Sequence, residues 1–196
     1  MSTKHTSTCR QFYPEDFCEY ALAVPLSEEV AGDFKKEKKY FSYQFGPSHP
    51  TPGSIVLARF EAKGFMEETL MRWIQNTCRL QEALTLKLNN FSSIPPHTIC
   101  IRVQDPAPLV QFSQKLRMLD AFMEASNCPP LQLEKRPSLA LVSGLSIPVY
   151  EKAVPAYARR CYQQAFVADK LVLLKKRSWE EGWWLVNTFT FSHALS

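Results

Sequence analysis

The sequence predicts an α+β fold of two lobes, in which two small antiparallel or mixed sheets, each backed by helices, face each other across a central groove. Three observations predict it. Short apolar runs alternate with stretches of helical periodicity along the 196 residues. Several connections between the predicted strands are shorter than the roughly dozen residues that a parallel crossover requires. Two of the runs also echo one another. Ser54-Ile55-Val56-Leu57-Ala58-Arg59-Phe60 and Ser138-Leu139-Ala140-Leu141-Val142-Ser143 each follow a glycine or proline, and each precedes a helix. The echo reads as an internal duplication with the site between its halves.

Residues 1–18 are polar and irregular and read as a tail. Residues 19–26 form the first buried strand. Ser27 is a good N-cap, and Glu28 and Glu29 suit the positive end of a helix running to about residue 43. Residues 46–53 hold three prolines and two glycines and form a loop. After the strand at 54–60, Met66, Leu70, Trp73, Ile74 and Thr77 keep helical spacing to about residue 80. Residues 83–88 are extended, 91–96 form a turn, and 97–103 alternate as a half-buried strand. Leu109, Phe112, Leu116, Leu119 and Met123 line one face of a further helix, ended by Cys128-Pro129-Pro130. The strand at 138–143 is followed by a helix from about Pro148, which Pro155 should kink or split. Residues 166–176 and 183–191 form a hairpin, with Trp183, Leu185, Phe189 and Phe191 largely on one face. A single two-lobed domain spans 19–192, and 193–196 are a tail.

Hydrophobic residues make up 45% of the chain, enough for a sizeable core. The 23 basic and 19 acidic residues leave a net charge of +4, which allows an anion in a local pocket but does not indicate a broad nucleic-acid surface. No apolar run approaches the ~20 residues of a membrane span. Residues 1–6 lack the apolar core of a signal peptide, so the cytoplasm is the expected compartment. The six cysteines include no Cys-x-x-Cys pair. They read as reduced, largely buried small hydrophobes, and no metal site is expected. There is no Gly-rich phosphate loop and no dinucleotide fingerprint, so no cofactor is expected.

The element order resembles that of the two-histidine phosphoesterases, the 2′-5′ RNA ligase-like and cyclic-phosphodiesterase-like proteins. Residues 20–30 resemble that family's opening strand and helix, 91–103 its mid-chain strand pair, and 136–143 its second motif strand. The resemblance implies that each half contributes a His-x-Thr or His-x-Ser at a strand edge. A strand's period of two aims both side chains at one groove. One imidazole takes the proton of the attacking group, the other protonates the leaving oxygen, and the hydroxyls hold the phosphate. Here both motifs are degenerate. Their four positions are Ser54, Val56, Ser138 and Ala140. A serine hydroxyl still donates to an anion but does not shuttle protons unassisted at neutral pH. General acid–base groups supply about 10²–10⁴-fold each, so the family's catalysis is expected to be lost on a retained fold.

Other residues are weighed as substitutes. His49-Pro50-Thr51 matches His-x-Thr literally, but its flanking prolines read as a loop coincidence. His97 opens a strand at a sheet end and is the candidate substitute imidazole. Arg102 alternates with the apolar face of that strand and points to solvent or into the groove. Arg59 and Arg136 flank the two motif strands and suit phosphate, although a surface charge is the simpler reading. Trp179, Trp183 and Trp184 suit base stacking or hairpin packing equally. Lys175-Lys176-Arg177 reads as a solvated turn, and His5 and His193 lie in the tails. The expected ligand set is Ser54, Ser138, His97 and Arg102. The expected ligand is a nucleotide, cyclic phosphate or RNA end, without membrane or metal. Two alternatives stand beside this reading: an active phosphodiesterase rearranged around His97, and an interaction protein with no ligand.

Overall fold

The computed structural model describes residues 17–49, 51–176 and 182–192. Most of both predicted tails, and Trp179, His5 and His193, lie outside the described residues. In chain order the strands are β1 (Phe17–Pro25), β2 (Ser54–Lys63), β3 (Leu84–Ile94), β4 (Thr98–Val103), β5 (Gln132–Leu133), β6 (Ser138–Val142), β7 (Gln163–Ala168), β8 (Lys170–Lys176) and β9 (Trp184–Thr190). The helices are α1 (Glu28–Phe45), α2 (Glu67–Arg79), α3 (Ala107–Lys115), α4 (Asp120–Ala125) and α5 (Ile147–Ala158).

Eight strands follow the order β7-β3-β4-β6-β2-β1-β8-β9, and β5 adds to β2. Every named pair is antiparallel. The two expected sheets are therefore two halves of one. β7, β3, β4 and β6 make one half, and β2, β1, β8 and β9 the other. They join where Ile55 of β2 pairs with Leu139 of β6. β7 and β8 lie near opposite ends of this order, yet only Asp169 separates them in the chain. Consecutive α-carbons are ~3.8 Å apart, so the sheet must curl until its ends approach. That curl makes the groove.

The helices pack on the outer face of the sheet. Tyr20, Leu22, Val24, Ile55, Leu57, Leu139 and Leu141 point outward to meet Phe34, Phe41, Leu70 and Ile74 in one continuous core. The inner face carries small residues, Ala21, Ala23 and Val56, with Val172 and Leu174 and the edge of Trp183. Ser27 caps α1 as expected, its Oγ accepting from the Val30 N–H at 3.4 Å.

Several expectations change. β3 runs through Phe91, Ser92 and Ser93 to Ile94, where a turn was expected, because these residues pair with Ile101, Cys100, Ile99 and Thr98 of β4. Tertiary pairing there overrides a weak local preference. The strand expected over 166–176 is two strands, one in each half-sheet. The helix at 109–123 is α3 and α4 joined by a 3-10 turn, but its five apolar positions are all buried. Pro155 lies inside α5 but does not split it, since the helix continues past it to Ala158. Leu185 is exposed rather than sharing the face of Phe189 and Phe191. A bulge explains it. Leu173 pairs with Asn187 but Leu174 pairs with Leu185, so Val186 is an extra residue and the alternation flips.

Candidate functional site: the groove between the half-sheets

The register around Ile55–Leu139 places Ser54 and Ser138 on the inner face. Ser54 lies opposite Ala140, and Ser138 lies two residues along, a diagonal neighbour. Such neighbours are ~7–8 Å apart in an antiparallel pair, which a tetrahedral anion can bridge. Both serines, with Val56 and Ala140, line a groove of about 630 Å³. Ser54 is only 6% exposed, and its Oγ has no hydrogen-bond partner among the described residues. A buried hydroxyl without a partner costs free energy, so one facing a groove is a donor held ready. Burial pushes the Cys100 thiol, opposite Ala140, above its ordinary range, with Ser138 and Arg102 opposing the shift.

A second bulge equips the cationic end. Ala58 pairs with Leu22 and Val56 with Ala23, so Leu57 is an extra residue in β2. Before it, Ser54 and Val56 face the groove. After it, Ala58, Phe60 and Ala62 face the core, and Arg59 faces the groove. Without the bulge Arg59 would point into the core. Arg59 donates to Glu19 at 3.4 Å, lies 3.9 Å from Glu134, and stacks over Trp183 at 5.5 Å. Lys176 approaches the same ring at 5.9 Å, and Arg136 completes the basic wall.

The opposite end is hydroxyl-rich, with Thr51, Thr98 and Ser143, and it includes His49. The structure therefore brings together Ser54, Val56, Ser138, Ala140, Arg59, Arg136, Trp183 and His49, but not the other two candidates. His97 is exposed outside the groove lining, and its Nδ1 donates to the Leu145 carbonyl at 2.7 Å. Arg102 also lies outside the lining, its Nε donating to the Asn89 carbonyl at 3.3 Å. Reading His49 as a loop residue is correct, but the loop folds back over the end of β6, which no local pattern signals. Arg59, which the sequence reads as suiting phosphate but more simply as a surface charge, is turned into the groove by the bulge, and Lys176 was obscured by its place in an apparent turn. Among the described residues, no three acidic, histidine or cysteine side chains converge as a metal site would need. No described helix is long and apolar enough to cross a membrane.

No protein-family model matches the chain, and no curated protein does. Solved structures do. E. coli LigT in its apo form superposes with a TM-score of 0.62 at 16% identity, over 90% of this chain and 98% of that one. E. coli LigT complexed with NADP+ gives 0.64 at 13% identity, over 90% and 99%. A crystal structure described as a phosphoesterase gives 0.60 at 14% identity, over 89% and 98%. The chain therefore has the fold of the E. coli LigT and phosphoesterase structures, two lobes about a groove.

Proposed function

We propose that the groove binds a phosphate-bearing ligand, a nucleotide or an RNA end, and that the chain does not carry out the acid–base chemistry of the two-histidine phosphoesterases. One observation carries the reading: Ser54 lines the groove, and its buried Oγ has no hydrogen-bond partner among the described residues. Ser54 and Ser138 furnish hydroxyl donors for a phosphate, Arg59, Arg136 and Lys176 furnish positive potential, and Trp183 furnishes a face for a base. Solved complexes of E. coli LigT with NADP+, 3′-AMP, phosphate and ATP support the ligand class.

The loss of catalysis rests on chemistry. The four motif positions hold two hydroxyls and two apolar side chains, none of which exchanges protons at neutral pH. His97 does not rescue the reaction in this reading, because its ring is engaged outside the groove. The test is calorimetric titration with 3′-AMP alongside a hydrolysis assay on 2′,3′-cyclic nucleotides. Saturable binding without turnover is expected. Robust turnover that Ser54→Ala abolishes would overturn the loss of catalysis, and absence of binding would overturn the ligand assignment.

A further inference from the structure

The loop before β2 is fastened to its surroundings at three points. His49 pairs with Ser143 in an isolated antiparallel bridge. Thr51 Oγ1 donates to the Leu141 carbonyl at 3.4 Å. Lys38 Nζ donates to the Thr51 carbonyl at 3.3 Å. These contacts tie the loop to β6 and α1, and they set His49 and Thr51 on the groove wall with Ser54, Ser138 and Ser143.

The His49 ring has its own seat. It lies against Gly144, whose φ is +65°. A β-carbon at 144 would stand 2.2 Å from His49 Cδ2 and 3.1 Å from both Cγ and Nε2. Glycine is required there twice, for the left-handed backbone and for the imidazole resting on it. His49 is exposed, and its ring nitrogens have no hydrogen-bond partner among the described residues, so they are open to solvent or to a ligand in the groove. Two other nitrogen donors are engaged: the His97 imidazole donates to a carbonyl outside the lining, and Arg59, at the far end of the groove, is shared between Glu19 and Glu134.

We propose that His49 is a ligand-contacting residue of the groove, donating a hydrogen bond to the phosphate held by Ser54 and Ser138, and that Gly144 is the positioning residue that seats its ring. The proposal rests on the phosphate-binding reading above. The two motif strands have exchanged their imidazoles for hydroxyls, and the loop supplies one imidazole from outside them. One ring nitrogen carries a proton in either neutral tautomer, so the contact does not require a charged ring. A single imidazole is a donor. It is not the base-and-acid pair that displacement at phosphorus uses, so the ligand class is a phosphate ester that stays intact in the groove.

The test titrates 3′-AMP and, separately, inorganic phosphate into wild-type protein and four variants: His49→Ala, Gly144→Ala, the double variant and His97→Ala. A lost hydrogen bond to a charged oxygen lowers affinity by about tenfold or more. His49→Ala is expected to show that loss for both ligands, and His97→Ala none. Gly144→Ala is expected to match His49→Ala, and the double variant to be no worse than either single one, because both changes remove one contact. Should Gly144→Ala fail to fold, His49→Ala alone decides. Wild-type affinity retained in His49→Ala would overturn this proposal while leaving the phosphate-binding reading intact. A wild-type protein that binds neither ligand would overturn both.

Discussion

Ile55 of β2 pairs with Leu139 of β6, and this strand pairing joins the half-sheets. It turns the leucines of both strands outward to the core and leaves Ser54 and Ser138 as diagonal neighbours on the groove face. The Ser54 hydroxyl then adds no hydrogen bond to the fold among the described residues. Ser54→Ala should leave stability unchanged or raise it by up to about 1 kcal/mol, while weakening 3′-AMP binding about tenfold. Thermal denaturation and titration of the same sample check this. A variant that loses stability and keeps its affinity contradicts it.

The extra residue Leu57 gives Arg59 to the groove, where it stands between Glu19 and Glu134. Arg59→Ala leaves those carboxylates facing an incoming anion. Affinity for 3′-AMP should fall by roughly fivefold, the factor that about 1 kcal/mol gives. Arg102→Ala, whose side chain lies outside the lining, should change affinity by less than twofold, roughly the ±0.5 kcal/mol of an ordinary surface substitution. Equal losses in the two variants would show that general positive charge, rather than placement, holds the ligand.

Tyr157 is 2% exposed, and its hydroxyl has no hydrogen-bond partner among the described residues, although Phe91, Phe41 and Tyr40 surround the ring. The ring packs well and the hydroxyl is a burden. Tyr157→Phe should stabilise the protein by about 1 kcal/mol, a rise of a few degrees in Tm, whereas Tyr157→Ala should cost about 3–5 kcal/mol. Denaturant unfolding of the three proteins decides it.

Alkaline pH should unfold the chain early. Burial pushes the Cys78 thiol from 9.0 up to about 12. Burial, with Asp33 and Glu37 nearby, pushes the Tyr162 phenol from 10.0 up to about 12. In both, the folded chain keeps its proton longer than the unfolded chain does. The stability they contribute is full below about pH 9 and is lost as pH rises toward 12. The urea midpoint should therefore fall steadily over that range, and Cys78→Ala should flatten the slope. A midpoint constant from pH 8 to 11 would contradict the burial of these groups.

The sequence carried the fold because hydrophobic periodicity marks what is buried. Leu22, Ile55, Leu139 and the five apolar positions from Leu109 to Met123 were all legible. What was lost lies in single inserted residues. Leu57 and Val186 each shift the alternation by one, moving Arg59 into the groove and Leu185 out to solvent. Register of this kind depends on the partner strand, which a one-dimensional pattern does not contain. His49 was hidden differently: its loop is stitched to β6 by long-range contacts with no local signature. His97 and Arg102 looked well placed because strand parity fixes a face, not a position along the groove.

The central claim is that the groove holds a phosphate ester between Ser54 and Ser138 and leaves it unchanged. The most direct test follows a single mixture of isotope-labelled protein and 2′,3′-cyclic AMP by amide and phosphorus NMR. Amide shifts should concentrate at residues 49–59 and 138–144, with the cyclic phosphate signal intact after hours. Shifts elsewhere, or conversion of the cyclic phosphate to a monoester, would contradict the account.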